Sequence, residues 1–233
     1  MVRIGNFDLD KRAALVAAIG KDPLMQSKAA ASTGADILEI RLDLLGIDTS
    51  ETAADLLKKL RSDTNLPRIA TNRLQKEGGN WEGSEEDRIT LLEDILPFTD
   101  AIDVELNAET ELRDRLVKKA KEAGITVIIS SHDFESTPDK AVIRDILERS
   151  RQAGADIAKL AVMPNSMQDV LDLLEVTLSE DNVCTIAMGQ LGKHTRIVGP
   201  CYGSKLTYAS VSNAVAPGQL KVHELKKALE MLQ

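Results

Sequence analysis

The chain has 233 residues, which is long enough for one large α/β domain or two small ones with a buried core. Hydrophobic residues make up 43% of the chain and charged residues 28%, as in an ordinary globular protein. The formal net charge of −8 argues against a nucleic-acid-binding surface, which would be basic. Aromatic residues are only 3% of the chain, so the core must be built from Leu, Ile, Val and Ala.

The cysteines and the amino-terminal residues indicate the cellular compartment in which the protein works. The two cysteines, Cys184 and Cys201, form no disulfide framework and no plausible zinc site, and they indicate a reducing environment. The first residues contain no apolar signal core, and no apolar run approaches the length that spans a membrane. We therefore expect a soluble cytoplasmic protein that binds neither nucleic acid nor membranes.

Short apolar runs alternate with longer amphipathic runs throughout the chain. The predicted strands are residues 14–19, 37–42, 68–72, 101–106, 126–130, 157–162, 183–188 and 206–210. Helical periodicity marks residues 53–61, 85–96, 109–123, 139–153 and 168–178 between them. The strand starts recur roughly every 23 to 33 residues, which is the length of a strand–helix unit in a parallel sheet.

Eight such units predict an α/β fold in which residues 1–233 form a single (β/α)8 TIM-barrel domain. A doubly wound open sheet is the alternative, but no G-x-G-x-x-G motif follows the first strand. No Pro-rich or Ser-rich linker divides the chain.

In such a barrel the catalytic groups lie at the carboxyl ends of the strands. Polar residues at or just beyond these ends are Glu39, Arg41, Arg73, Glu77, Asp103, Glu105, His132, Lys159, Arg196 and Gln219. We interpret Asp103 and Glu105 as interior or structural carboxylates without a part in the chemistry. Glu39 is expected either to pair with Arg41 or to accept hydrogen bonds from substrate hydroxyls.

Lys159 lies in the middle of an apolar run of strand length, residues 155–164. A buried ammonium must be paired or lose its proton, and an amine on a rigid strand can form a Schiff base with a ketone. The alternative is a lysine at the mouth of the strand that extends to water. His132 follows the neighbouring predicted strand and can act as a general base facing Lys159. The alternative for His132 is to cap the helix that begins near Pro138.

The other candidates fit the same chemistry. Glu77, in Lys-Glu-Gly-Gly (76–79), can hold an imidazole in one tautomer. Arg41, Arg73 and Arg196 indicate an anionic substrate, since a guanidinium binds a carboxylate with two parallel hydrogen bonds. We also predict that residues 77–81 form a mobile lid.

Seven segments, taken together and in this order, resemble the type I 3-dehydroquinate dehydratases, the Schiff-base lyases of the shikimate pathway. The segments are Glu-Ile-Arg-Leu-Asp (39–43), Thr-Asn-Arg-Leu-Gln-Lys-Glu-Gly-Gly (71–79), Ser-Ser-His-Asp-Phe (130–134), Ala-Asp-Ile-Ala-Lys-Leu-Ala (155–161), Met-Gly-Gln-Leu-Gly-Lys-His-Thr-Arg (188–196), Tyr-Gly-Ser (202–204) and Ala-Pro-Gly-Gln (216–219).

The resemblance implies a role for each candidate. Lys159 would form an imine with the C3 ketone of 3-dehydroquinate, His132 would take a proton from C2 and help expel the C1 hydroxyl, and Glu77 would position His132. Arg196 and Gln219 would hold the substrate carboxylate, with Glu39, Arg41 and Arg73 contacting hydroxyls and carboxylate. The resemblance also implies that no metal or other cofactor is needed and that the protein is a homodimer.

Two positions depart from the family pattern. Val215 stands where the family usually has a substrate-binding serine, and residues 15–19 offer alanines where the first strand often has a serine. Each lost hydroxyl contact would cost about 1 kcal/mol of binding, so we expect altered affinity and not a different reaction. The competing interpretations are another lysine-imine enzyme of the class I aldolase type and a non-catalytic ligand-binding barrel.

Overall fold

The computed structural model describes residues 1–212 and 216–232. Its strands are β1 (Arg3–Ile4), β2 (Phe7–Asp8), β3 (Ala14–Ile19), β4 (Ile37–Arg41), β5 (Arg68–Thr71), β6 (Ala101–Glu105), β7 (Thr126–Asp133), β8 (Ile157–Val162), β9 (Val183–Ala187) and β10 (Leu206–Ser210). Its helices are α1 (Pro23–Ser32), α2 (Ser50–Asp63), α3 (Glu85–Asp94), α4 (Thr110–Glu122), α5 (Lys140–Gln152), α6 (Met167–Ser179), α7 (Gly189–Gly192), α8 (Thr195–Val198) and α9 (Val222–Glu230). Short 3-10 helices cover Gln75–Glu77, Leu96–Phe98 and Gly199–Tyr202.

The eight predicted strands form one parallel sheet, in the order β10-β3-β4-β5-β6-β7-β8-β9. At the seam between β9 and β10, the Lys205 amide donates to the Val183 carbonyl over 2.8 Å. The Cys184 thiol donates a hydrogen bond to the Leu206 carbonyl over 3.4 Å. Burial raises the pKa of this thiol to about 12, so the thiol stays protonated and can act as a donor. These contacts bring the sheet round into a nearly closed barrel with helices between the strands. The predicted (β/α)8 TIM barrel is confirmed.

The secondary structure contains elements that were not predicted, among them the end of β7 and helix α1. Strand β7 continues to Asp133, where it pairs with Val162 of β8, so His132 lies within the strand and not in the loop after it. Helix α1 has no apolar stripe that would predict it, because the side chains that it buries are Gln26, Ser27 and Ala30. None of the helices in the described ranges is long and apolar enough to cross a membrane.

The barrel interior changes from apolar to charged along the strands. Near the amino ends, Ile37, Ile69, Ile128 and Ile157 pack together with Ile4 and Leu9 from the amino-terminal segment. Two residues further along the same strands stand Glu39, Thr71, Ser130 and Lys159, all buried. Since side chains alternate between the two faces of a strand, these polar groups share the interior face with the isoleucines below them. The fold therefore gathers charged groups above an apolar floor.

Candidate active site

A cavity opens at the carboxyl ends of the barrel strands. All eight predicted site residues line it, namely Glu39, Arg41, Arg73, Glu77, His132, Lys159, Arg196 and Gln219. Its wall is completed by Gly78, Phe134, Ala161, Ile186, Met188, Tyr208 and Ala216. None of the β3 residues is among these lining residues, in keeping with the lack of hydroxyls in that strand.

Lys159 lies at the base of the cavity and is only 5% exposed. Its Nζ is 2.7 Å from Asp103 Oδ2 and 3.7 Å from Glu39 Oε1. The ammonium also sits 4.3 Å from the centre of the Tyr208 ring, a cation–π distance. The interpretation of Lys159 as a lysine that extends to water is therefore wrong, because carboxylates inside the barrel hold its ammonium.

Asp103, interpreted from the sequence as a structural carboxylate without a part in the chemistry, is the carboxylate that holds Lys159. Its Oδ1 accepts from the Ser130 hydroxyl at 2.6 Å and lies 2.9 Å from Arg73 Nη2. Full burial would raise the pKa of Asp103, but Arg73 and Lys159 outweigh this and hold the pKa well below its ordinary value. The alternation of β6 already put Asp103 on the interior face, yet nothing in the sequence showed that it meets Lys159.

Arg73 is held on several sides by protein groups. Its Nη1 donates to Glu105 Oε1 at 2.9 Å and to Ser130 Oγ at 2.6 Å, while Nη2 pairs with Asp103. Beyond it, Arg88 Nη1 lies 2.8 Å from Glu105 Oε2. Alternating charges thus run from helix α3 to Lys159. Since its side chain is only 4% exposed, Arg73 acts on the cavity mainly through its charge.

His132 is oriented by Glu77. Glu77 Oε2 lies 2.9 Å from His132 Nδ1 and also accepts from the His132 backbone amide at 3.1 Å. Burial, together with the charges of Arg73 and Lys159, holds the pKa of His132 well below its ordinary value, so the imidazole is neutral. Burial, followed by repulsion from Glu105, raises the pKa of Glu77 to about 7. With Nδ1 engaged by Glu77, Nε2 is the ring nitrogen that is left for a substrate.

The alternative role of His132 as a helix cap is wrong. Helix α5 begins at Lys140, and its amino end is capped by Asp139, which accepts from the Val142 amide at 3.0 Å. His132 instead pairs in register with Ala161 of β8, while Ser130 pairs with Lys159.

The Glu-Gly-Gly segment forms a turn that fits closely around the site. Gly78 has a φ of +79°, which favours glycine, and Phe134 packs directly over it and stacks on His132. A Cβ on Gly79 would lie 2.0 Å from the Arg73 carbonyl oxygen. The glycines therefore let the chain pass close to Arg73 while Glu77 reaches His132.

Glu39 and Arg41 do not pair with each other. Arg41 binds Asp43 through two hydrogen bonds, from Nε at 2.9 Å and from Nη2 at 2.7 Å. Glu39 accepts from the Thr71 hydroxyl at 3.0 Å. The chain turns at the end of β4 and brings Asp43 next to Arg41. Arg41 therefore pairs with Asp43 and not, as had been expected, with Glu39.

Arg196 has a different environment from the other arginines. Its guanidinium donates to three backbone carbonyls, those of Gly218 at 3.1 Å, Tyr208 at 3.3 Å and Pro217 at 2.9 Å. Within residues 1–212 and 216–232, no carboxylate forms an ion pair with it, although it is only 3% exposed. Burial lowers its pKa to about 10, so it keeps its charge near neutral pH. A buried positive charge surrounded by neutral groups is suited to binding an anion.

Gln219 lines the same part of the cavity, and its Oε1 accepts from the Ala216 amide at 3.3 Å. Val215, the departure noted in the sequence, lies outside the described residues.

Comparison with known proteins identifies the family. The model of the type I 3-dehydroquinase family matches residues 14–233. The chain is 68% identical to the 3-dehydroquinate dehydratase of Methanococcoides burtonii over the whole of both chains, and 57% identical to that of Methanosarcina acetivorans, again over the whole of both.

Solved structures agree with this assignment. A type I 3-dehydroquinate dehydratase from Clostridium difficile, with covalently modified comenic acid, is 34% identical, with a TM-score of 0.88 over 95% of this chain and 92% of that one. The enzyme from Geobacillus kaustophilus is 31% identical, with a TM-score of 0.89 over 95% of this chain and 91% of that one. The chain therefore belongs to the type I 3-dehydroquinase family, the type I 3-dehydroquinate dehydratases.

Proposed function

We propose that the chain converts 3-dehydroquinate to 3-dehydroshikimate through a Schiff base on Lys159. The observation that carries this proposal is the meeting, in one cavity, of an interior lysine, a neutral imidazole and a buried arginine that has no carboxylate partner among the described residues. Ketone activation, proton removal and carboxylate binding each need one of these groups.

In the first step the Lys159 amine attacks the C3 ketone, and the ketone oxygen leaves as water to give the imine. Before the attack Lys159 must pass a proton to another group, and the neutral imidazole of His132 in the same cavity can take it, because the pKa of His132 is lowered by burial and partly by the charge of Lys159 that the transfer removes. The positive imine nitrogen that forms then stays next to Asp103 and Glu39, which stabilise its charge.

In the second step His132 Nε2 takes a proton from C2, and the electron pair of that C–H bond moves into the C3–N system to give an enamine. The pair then returns to form the C1–C2 double bond as the C1–oxygen bond breaks. The leaving hydroxyl takes a proton back from His132 and departs as water. Hydrolysis of the imine releases the conjugated ketone and restores Lys159. Glu77 holds Nδ1, which keeps Nε2 pointed at the substrate.

Arg196 is the proposed site for the substrate carboxylate, because its charge has no acidic partner in the described ranges. Gln219 would contact the same end of the substrate, next to it in the cavity. Glu39 and Arg41 would contact hydroxyls, while Arg73 supplies positive charge from behind Asp103.

The test is chemical trapping of the imine. Enzyme incubated with 3-dehydroquinate and borohydride should gain one covalent adduct on Lys159, located by peptide mass. Lys159→Met should form no adduct and no enone absorbance, whereas Lys59→Met, at an exposed position on α2, should behave as the unmodified enzyme. Adduct on another lysine, or enone formation by Lys159→Met, would refute the mechanism. Binding of substrate without any enone would instead favour a non-catalytic barrel.

We further propose that the enzyme serves the shikimate pathway in the cytoplasm and acts as a homodimer. Cys184 and Cys201 are both unpaired, which suits a reducing compartment. Light scattering on the purified protein should give twice the chain mass of 25.4 kDa, and a single chain mass would contradict the homodimer.

A further inference from the structure

Tyr208 is a polar residue beside the reacting lysine that the mechanism above does not use. It lies on β10, faces the barrel interior and lines the cavity that holds Lys159, yet it is only 3% exposed. Its ring faces Lys159 Nζ at 4.3 Å. His132 is on β7, which adjoins the Lys159 strand β8 on one side, while β9 adjoins β8 on the other side and meets the Tyr208 strand β10 at the seam.

The Tyr208 hydroxyl is buried and has no hydrogen-bond partner among the residues that the structure describes. The other hydroxyls next to Lys159 are already engaged, since Ser130 donates to Asp103 and Thr71 donates to Glu39. An unpaired buried hydroxyl lowers stability, and a phenylalanine would fill the same space without that cost. This position therefore carries a hydroxyl that the folded chain itself does not need.

The chemistry of this hydroxyl is that of a donor. Burial, followed by the nearby charge of Glu39, holds the pKa of Tyr208 well above its ordinary value. The phenol therefore stays neutral and keeps its proton. It is suited to donating a hydrogen bond to a developing negative charge, and it is not suited to giving up the proton altogether.

We propose that the Tyr208 hydroxyl donates a hydrogen bond to the oxygen on the carbon that Lys159 attacks. This inference rests on the Schiff-base mechanism proposed above. As the nitrogen–carbon bond forms, the electron pair of the ketone double bond moves onto that oxygen. The Tyr208 hydrogen bond stabilises the charge there while His132 passes on the proton that it took from Lys159, which makes the oxygen a hydroxyl. A second proton moves from the nitrogen to that hydroxyl through His132 in the same way, and water leaves as the nitrogen lone pair forms the imine. Tyr208 keeps its own proton throughout.

The placement of the groups around Nζ supports this division of roles. The nearest side chains to Nζ, Asp103 and Glu39, are hydrogen-bond acceptors in this structure and cannot stabilise an oxyanion. Tyr208 is then a donor close to Nζ whose hydroxyl has no hydrogen-bond partner among the described residues. A hydrogen-bond donor close to developing charge in a site shielded from water makes a large contribution to catalysis.

The test is the Tyr208→Phe enzyme, with Tyr202→Phe as the matched control. Tyr202 is the other tyrosine of the chain and is 37% exposed on the outer surface. In single-turnover experiments quenched with borohydride, the rate of adduct formation on Lys159 should fall about 10- to 100-fold in Tyr208→Phe. Its midpoint of thermal unfolding should stay the same or rise, because an unpaired buried hydroxyl has been removed. Tyr202→Phe should match the unmodified enzyme.

Other results would overturn the assignment. An unchanged rate of adduct formation in Tyr208→Phe would show that the hydroxyl does not touch the reacting oxygen. A higher KM with that rate unchanged would place the hydroxyl on a spectator group of the substrate. Lower thermal stability with unchanged kinetics would make the hydroxyl structural. Absence of an adduct in the unmodified enzyme would overturn the Schiff-base mechanism itself, and with it this role, whereas equal adduct rates in both enzymes overturn the role of Tyr208 only.

Discussion

Replacing Asp103 by Asn tests how much the buried charge pairing under the cavity contributes to stability. The change keeps the shape of the side chain but removes its charge. Asp103 is fully buried and bonds three groups, Lys159 at 2.7 Å, Arg73 at 2.9 Å and Ser130 at 2.6 Å. In the variant the carboxamide can still accept from Ser130 or Arg73. Its NH₂ group, however, would face the Lys159 ammonium, donor against donor.

The expected loss follows from the charges that remain. At an effective dielectric constant of about 20, two unit charges 2.7 Å apart attract by about 6 kcal/mol, and at 3.7 Å by about 4 kcal/mol. Lys159 keeps Glu39 at the longer distance, and Arg73 keeps Glu105 at 2.9 Å. Because neither cation is left wholly unpaired, the cost should fall at the lower end of the range for breaking a buried pair, about 3 kcal/mol.

Urea unfolding followed by circular dichroism measures this cost. Asp145→Asn is the control, since Asp145 is 63% exposed and pairs with Arg149 on the surface of α5. The control should change the free energy of unfolding by less than about 0.5 kcal/mol. If Asp103→Asn lost no more stability than the control, with an unchanged urea dependence, the view that this pair holds the site together would be refuted.

Three further predictions concern the turn beside His132. Burial raises the pKa of Glu77 to about 7, so Glu77 contributes stability that is present below about pH 4.5 and is lost as the pH rises through about 7. In urea titrations, Glu77→Gln should therefore gain stability relative to the unmodified enzyme as the pH rises from about 5 to about 8. A constant difference across that range would contradict the raised pKa. Gly79→Ala should lower the free energy of unfolding by about 3 kcal/mol, because the added Cβ collides with the Arg73 carbonyl. The control Gly46→Ala should lower it by only about 1 kcal/mol, because the change strains only a φ of +64°. Equal losses in unfolding experiments would show that the turn can move away from Arg73. Substrate should protect residues 77–81 from proteolysis if they close as a lid, and cleavage at one rate with and without substrate would argue against closure.

The sequence by itself determined the architecture and the location of the site. Strand starts at regular spacing predict the eight parallel strands, because each strand–helix unit needs a similar length of chain to return to the same edge of the sheet. Alternation along each strand then places Lys159 and His132 on the interior face. The polar residues that line the cavity, apart from Tyr208, could be named in advance because parallel strands bring their carboxyl ends together.

Only the tertiary structure decided which partner each charge takes. Asp103 meets Lys159 from a strand 56 residues away, and Arg41 turns to Asp43 instead of Glu39. Such pairings depend on strand register, on side-chain direction and on which competing partner comes within hydrogen-bond distance, and none of these is encoded in local spacing. The same holds for Tyr208, whose unpaired hydroxyl became visible only when its surroundings were known. The order of residues determines which groups enter the barrel, and packing in three dimensions determines which of them are paired and which remain for a substrate.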